Sequence, residues 1–194
     1  MILGITGGTG CGKTTLLELI AEQGGTVLDC DAIYHRLLQT DHTLLTAIGN
    51  RFPGTVTDGG LDRKKLGSIV FSDPAALQAL NGLTHSAVKQ EVLRLLTPTP
   101  KLAAIDAIGL FESGLDKLCK LTVAVTAPEQ QRVQRLMARD GIDESYALAR
   151  IRAQRSQEEF SALCDVCLVN DGTAATFRKK CLDFLSALGI LTKM

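Results

Sequence analysis

The sequence has no tryptophan, only 4% aromatic residues and no excess of charge of either sign. Its 21 basic and 21 acidic residues give a formal net charge of zero at pH 7. A neutral chain has no overall field that would attract nucleic acid or an anionic membrane, so neither is an expected partner. The few aromatic residues also give no sign of a protein partner, and the oligomeric state stays open.

Long hydrophobic runs are absent as well. A membrane-spanning helix needs roughly 18 or more consecutive apolar residues, and the chain has no such run. The first residues lack the basic region and the cleavage site of a signal peptide, so we expect a cytoplasmic protein. With 194 residues, 45% of them hydrophobic and 22% charged, the chain is expected to form one globular domain with a single large core.

The strongest motif occupies residues 2–15. An apolar, strand-like stretch runs into Gly7-x-x-x-x-Gly12-Lys13-Thr14, and a helical stretch follows, which is the P-loop pattern in its usual context. Glycines let successive backbone N–H groups turn toward phosphate oxygens, Lys13 can reach the β- and γ-phosphates, and the Thr14 hydroxyl can bind Mg²⁺. The sequence therefore predicts a nucleoside triphosphate site formed by Gly8, Gly10, Cys11, Gly12, Lys13, Thr14 and Thr15.

Six cysteines are present, and we expect reduced thiols in a cytosolic chain. Cys11 lies within the P-loop, where the following helix N-terminus would lower its thiol pKa and make it a candidate oxidation site if it is accessible. Cys164 and Cys167 have a metal-like spacing, but an apolar strand between them would point their thiols to opposite faces. A strand therefore explains this pair better than a metal site.

Short apolar segments alternate with helical patterns along the chain. This alternation predicts a parallel sheet flanked by helices, whose active site lies at the carboxyl ends of the strands. The predicted strands are 2–6, 26–30, 102–108, 121–126 and 166–170. Polar residues follow four of them and are expected to converge on one crevice: the P-loop, Asp29-Cys30-Asp31, Phe111-Glu112-Ser113 and Asn170-Asp171-Gly172.

Two segments interrupt the alternation. Residues 34–99 look entirely helical and are too long for an ordinary crossover, so they predict an inserted helical subdomain that holds the acceptor substrate. Residues 128–160 predict a helical hairpin, in which Arg132, Arg135 and Arg139 share one helix face. We interpret this hairpin as a lid over the triphosphate, with a solvated arginine face as the alternative. The nucleotide-binding core is then 1–33, 100–127 and 161–194.

Phosphoryl transfer also needs a group that accepts a proton from the acceptor hydroxyl. Asp29 and Asp31 follow the second predicted strand, and a spacing of two places both side chains on one side if the strand continues. We predict that Asp31 is the base, with Glu112 as the alternative. Asp29 can instead cap a helix or a turn.

With these motifs in place, the sequence resembles the dephospho-coenzyme A kinase family over nearly its whole length. The P-loop is common to many families, but the last three matching elements, in this order and spacing, are much more specific. The matching elements are Ile5 to Thr14, Asp29-Cys30-Asp31, Leu61-Asp62-Arg63, Ile69-Val70-Phe71, Leu110 to Gly114, Arg135 to Gly141 and Asn170 to Gly172.

The resemblance implies a P-loop kinase fold with an inserted helical CoA-binding subdomain and a helical lid. It implies transfer of the ATP γ-phosphate, with Mg²⁺, to the 3′-hydroxyl of dephospho-CoA, which is the last step of coenzyme A synthesis. It also implies catalytic roles for Lys13, Asp31 and Arg139, and an adenine site near Asn170 and Gly172. The expected acceptor-binding residues are Asp29, Lys65, His85, Phe111 and Glu112, although a packed helix histidine is the alternative for His85.

Two other functions remain as alternatives from the residues themselves. One is a kinase of the same architecture that phosphorylates another small acceptor, such as a nucleoside, a nucleotide or a vitamin. The other is a switch protein that binds GTP, although the chain has no Asn-Lys-x-Asp motif that would read guanine.

Overall fold

The structure is a computed structural model that describes residues 1–57 and 60–190. The chain divides into two compact units. The first combines Met1–Leu28 with the residues from Pro100 onward, and the second is Asp29–Thr99.

In chain order, the helices and strands are β1 Ile2–Thr6, α1 Lys13–Glu22, β2 Thr26–Asp29, α2 Cys30–Thr40, α3 His42–Arg51, β3 Val56–Thr57, β4 Gly60–Leu61, α4 Arg63–Val70, α5 Pro74–Leu95, β5 Ala103–Asp106, a 3₁₀ turn Asp116–Leu118, β6 Leu121–Thr126, α6 Glu129–Asp140, α7 Glu144–Arg152, α8 Gln157–Leu163, β7 Val166–Val169 and α9 Ala174–Ala187.

The main sheet has the strand order β2-β5-β1-β6-β7. Strand β1 pairs in parallel with both β5 and β6, and β6 pairs in parallel with β7. A parallel sheet with helical connections was predicted from the alternation of the sequence, and this prediction is confirmed. Strand β5 ends at Asp106, opposite Ile5 of β1, rather than at residue 108, because the chain then turns through hydrogen bonds such as Ser113 N–H to Gly109 O.

The core of the first unit lies between the sheet and helices α1 and α9. Leu3 and Ile5 of β1 are fully buried, as are Leu16 of α1 and Leu185 of α9. Burial of these apolar side chains provides most of the stability of such a layer. The strand that leads directly into the P-loop is therefore anchored in this core.

The second unit is mainly helical, because α2, α3 and α4 all pack against the long helix α5. It is not entirely helical as the sequence predicted: β3 and β4 form an antiparallel pair, with Val56 opposite Leu61. Two-residue strands are too short to show the alternation that identifies a strand. The unit begins at Asp29 rather than at residue 34, because α2 begins at Cys30 and packs against α5.

Residues 129–163 form three helices that follow β6. Helices α6 and α7 pack on each other through a small apolar cluster of Val133, Leu136, Ala147 and Ile151. Gly141 ends α6 with a φ of +65°, a left-handed conformation that glycine adopts without steric cost. Across the described parts of the chain, no helix combines the length and the hydropathy that crossing a membrane requires.

Candidate active site

The P-loop lies between β1 and α1, and its shape depends on Gly12. This residue precedes the helix with a φ of +92°, and a side chain there would collide with the amide of Asn170. Helix α1 then starts at Lys13, so the first N–H groups of the helix follow the loop directly. A helix N-terminus after a glycine-rich loop is a favourable environment for phosphate.

Lys13 is fixed by two oxygen atoms of the first unit. Its ammonium donates a hydrogen bond to the carbonyl of Gly7 over 3.0 Å and lies 3.9 Å from Oδ1 of Asp106. Thr14, the next residue, is exposed in the first turn of α1. The loop therefore presents a lysine cation, a hydroxyl and a nearby carboxylate around one helix N-terminus.

Sequence reasoning missed Asp106. The sequence predicts a strand that continues to residue 108, so the polar residues expected after it are those at 111–113. The signal that identifies Asp106 is an acidic residue directly after the apolar run 102–105, in a strand that lies beside β1. A carboxylate and a hydroxyl are the oxygen ligands that Mg²⁺ prefers, so Asp106 and Thr14 fit the expected metal.

Cys11 differs from its predicted chemistry. Its side chain is 1% exposed, and burial raises the pKa of its thiol even though Arg132, Lys13 and Arg135 act in the opposite direction. The expectation that the helix N-terminus lowers this pKa is therefore wrong, because desolvation is the larger effect. Cys11 is not an accessible oxidation site, and it contributes backbone groups to the loop.

Asn170 connects the end of β7 to the P-loop. It is 6% exposed, and its amide Nδ2 donates a hydrogen bond to the carbonyl of Cys11 over 2.9 Å. Its Oδ1 accepts a hydrogen bond from Arg135 over 3.3 Å. Gly172, two residues later, is exposed. The closing motif of the sequence thus holds the phosphate-binding loop in place, while its role near the adenine stays a prediction.

The arginines of α6 divide into two groups. Arg132 donates from Nε to the carbonyl of Thr9 over 2.9 Å, and Arg135 donates from Nη1 to the carbonyl of Gly10 over 3.2 Å. On the same side, the Thr9 N–H donates to Oε1 of Gln154 over 2.8 Å. These contacts place the start of α6 and the turn after α7 directly against the P-loop.

Arg139 does not reach the P-loop in this structure. It makes two hydrogen bonds to the carboxylate of Asp140, over 2.7 and 3.0 Å, and Arg150 donates to the same carboxylate over 2.6 Å. These two guanidinium groups lower the pKa of Asp140 to about 2. Of the three arginines predicted to share one face of this helix, Arg132 and Arg135 contact the P-loop, whereas Arg139 pairs with Asp140.

The motif at 110–114 forms a tight turn after β5. Glu112 is exposed and pairs with Arg155 over 2.6 Å, while Phe111 is half-buried. The carboxylate that was the alternative base is thus held by an arginine of the segment predicted to be a lid. This arrangement ties the turn to the segment between α7 and α8.

In the second unit, Asp29 and Asp31 have different environments. The side chain of Asp29 caps α2 by accepting the N–H of Ala32 over 2.9 Å, as the alternative interpretation of this residue predicted. Because the helix begins at Cys30, the strand does not continue, and the argument that both side chains share one side of a strand is wrong. Asp31 instead lies exposed in the first turn of α2.

The second unit also contains an apolar cavity of about 200 Å³. Its lining includes Tyr34, His35, Leu38, Arg63, Leu66 and Phe71. Phe71 is 84% exposed, an unusual degree for a phenylalanine, and burial raises the pKa of the Tyr34 phenol. The sequence contained Phe71 within a matched motif but gave no sign of a cavity, which depends on packing between helices.

The predicted acceptor residues of this unit, Asp29, Lys65 and His85, do not line that cavity. Lys65 is exposed on α4, and His85 is half-buried on α5. Their expected contacts with the acceptor therefore stay predictions.

Comparison with known proteins gives a consistent result. A family model described as dephospho-CoA kinase matches residues 1–176. The dephospho-CoA kinase of Lactobacillus johnsonii is 34% identical over 193 residues, which cover 96% of this chain and 98% of that protein. A crystal structure from Thermus thermophilus has a TM-score of 0.83 and 34% identity, covering 100% of this chain and 98% of that one. The structure of the Campylobacter jejuni dephospho-CoA kinase has a TM-score of 0.68 and 26% identity, with 96% of each chain covered.

Proposed function

Because the chain belongs to the dephospho-CoA kinase family, we propose that Lys13, Asp31 and Asp106 share the work of one phosphoryl transfer. The reaction transfers the γ-phosphate of ATP to the 3′-hydroxyl of dephospho-CoA and gives coenzyme A, the final step of its biosynthesis. The observation that carries the assignment of roles is the position of Lys13 at the start of α1, beside Asp106. The cytoplasmic location expected from the sequence remains a prediction.

Lys13 stabilises the negative charge of the reacting phosphates. Phosphoryl transfer depends mainly on positioning and on neutralising the charge that develops on the transferred group. The hydrogen bond to Gly7 and the nearby Asp106 hold the lysine ammonium within the loop rather than in solvent. A held cation needs little reorganisation when the reaction proceeds.

Thr14 and Asp106 are the residues that would hold Mg²⁺. The first offers a hydroxyl in the first turn of α1, and the second offers a carboxylate at the end of β5. When bound with ATP, the ion would neutralise phosphate charge and orient the phosphate chain. The carboxylate also keeps Lys13 oriented through their ion pair.

Asp31 accepts the proton of the acceptor hydroxyl in this proposal. Within the described residues its carboxylate has no hydrogen bond and no ion pair, whereas Glu112 pairs with Arg155 and Asp29 caps a helix. An exposed carboxylate without a partner is available to take up a proton, so Asp31 is favoured over Glu112.

The apolar cavity of the second unit is our candidate for binding the acceptor. Dephospho-CoA carries an aromatic base, a diphosphate and a long flexible arm. Phe71 presents an exposed ring, which suits a base or an apolar stretch of the arm, and Arg63 supplies a cation for phosphate. Contacts from Asp29, Lys65, His85, Phe111 and Glu112, and a phosphate contact from Arg139, remain part of the proposal.

The direct test measures ADP release by the purified protein with Mg²⁺-ATP. Dephospho-CoA, adenosine, AMP and no acceptor are compared, and the product is identified by mass. Stimulation by dephospho-CoA, with a product of the mass of coenzyme A, is the expected result. Stimulation by a different acceptor alone would move the chain to another small-molecule kinase, and tight binding of GTP without any stimulation would favour a switch protein.

A further inference from the structure

Arg132 is a buried cation for which the described part of the first unit provides no counter-ion. Its side chain belongs to a residue that is 2% exposed, and within residues 1–57 and 60–190 no carboxylate pairs with it. Nε donates to the carbonyl of Thr9 over 2.9 Å, but the buried Nη2 has no hydrogen-bond partner among the residues that the structure describes. A buried guanidinium carries a large desolvation penalty, and the single hydrogen bond from Nε offsets only part of it.

The unpaired end of Arg132 lies against the tip of the P-loop. A side chain at Gly8 would collide with Nη2 of Arg132 and come within 3.1 Å of Oε1 of Gln154. The same Gln154 oxygen accepts the N–H of Thr9 over 2.8 Å. Two side chains from residues 129–163 therefore hold both backbone groups of Thr9, and the absence of a side chain at Gly8 makes room for them.

We propose that Arg132 is a second phosphate-directed cation of the ATP site, and that Gln154 is the positioning residue that keeps the loop tip against it. The triphosphate supplies the negative charge that the buried guanidinium lacks. Gly8 and Thr9, which Arg132 contacts, are part of the loop that binds this triphosphate. The inference rests on the proposed function only in that ATP binds at the P-loop.

A neutral substitution tests the charge of Arg132. Arg132→Met should weaken ATP binding about tenfold in calorimetric titration, while binding of adenosine, measured by competition with ATP, stays unchanged. Arg132→Lys keeps the charge and should recover most of the loss. The matched control is Arg178→Met, which removes an arginine that pairs with Glu22 at the surface and should leave ATP binding as in the wild type. Equal ATP affinity of the wild type and Arg132→Met would overturn the proposal.

A second variant separates this role from a merely structural one. Gln154→Glu has nearly the same shape but places a carboxylate beside Arg132, so it supplies the missing counter-ion. We expect the Gln154→Glu variant to have a higher midpoint of thermal unfolding without ligand than the wild type and to bind ATP more weakly. Stability would thus increase while ATP affinity decreases. A lower midpoint with unchanged ATP affinity would contradict the proposal. If the wild type binds ATP but does not phosphorylate dephospho-CoA, the proposed function fails while the role of Arg132 can still be tested by binding.

Discussion

The ammonium of Lys13 lies 3.9 Å from Oδ1 of Asp106. Lys13 begins α1 after the loop that follows β1, and Asp106 ends β5, the strand that pairs in parallel with β1. The lysine that is proposed to neutralise phosphate therefore has an acidic neighbour. This pair determines how strongly the lysine is oriented and where an oxygen ligand for Mg²⁺ is available.

The coupling between these two residues can be measured by a double-mutant cycle. Lys13→Ala and Asp106→Asn should each lower kcat by about 10²-fold or more, because each removes a charge from the site of transfer. The double variant should lose less than the product of the two effects, since the remaining partner has already lost its function. Steady-state kinetics over a range of Mg²⁺ concentrations provide the measurement, and Asp106→Asn should also need more Mg²⁺. Fully independent effects, with an unchanged Mg²⁺ requirement, would contradict this pairing.

The role of Asp31 as the base predicts a separation between binding and turnover. Asp31→Asn should lower kcat by about 10²-fold while ATP affinity changes little, because the carboxylate acts on the acceptor hydroxyl. Asp41→Asn is a suitable control, since Asp41 caps α3 in the same unit and asparagine is an equally good cap. Loss of ATP binding together with turnover in Asp31→Asn would make Asp31 a metal-site or structural residue.

The candidate acceptor cavity predicts an effect on one substrate only. Phe71→Ala should raise KM for dephospho-CoA about tenfold and leave KM for ATP unchanged, because an exposed aromatic contact to the acceptor is lost. Leu93→Ala removes another exposed apolar side chain of the same unit, one that does not line the cavity, and serves as the control. Equal KM values for Phe71→Ala and the wild type would move the acceptor away from this cavity.

The buried state of Cys11 predicts low reactivity. The thiolate is the reactive form, and burial raises the pKa of this thiol, so less thiolate is present at pH 8 than in an unfolded chain. We expect iodoacetamide to modify Cys11 slowly in the folded protein and completely in guanidinium chloride, as measured by peptide mass mapping. Rapid modification of Cys11 in the folded protein, with loss of activity, would instead support an oxidation-sensitive P-loop.

Local sequence was enough to predict β1, the P-loop and the start of α1, because a strand, a glycine-rich turn and a helix start each leave a signal in neighbouring residues. Asp106 was missed because the end of β5 is set by its register with Ile5, far away in the chain. The cap formed by Asp29 was predicted only as an alternative. The residues around Asp29 are compatible both with a strand that continues past it and with a helix that begins after it, so the sequence does not distinguish the two. Packing between helices created the cavity beside Phe71, and no local pattern encodes such a space.

Helical periodicity also predicted that Arg132, Arg135 and Arg139 share one face, but not what each of them binds. The first two meet backbone carbonyls of the P-loop, which lies more than 120 residues earlier in the chain. The third pairs with the adjacent Asp140. The spacing of residues along a helix predicts which way their side chains point, whereas the groups that those side chains contact depend on the tertiary structure.

The carboxylate of Asp140 forms ion pairs with both Arg139 and Arg150. The segment predicted to be a lid thus carries its own anion, and a phosphate that recruits Arg139 has to replace Asp140 rather than meet a free cation. Engagement of Arg139 by nucleotide is then an ion exchange, in which one ion pair is given up as another forms. The electrostatic contribution of Arg139 to nucleotide binding is then the difference between its attraction to phosphate and its attraction to Asp140.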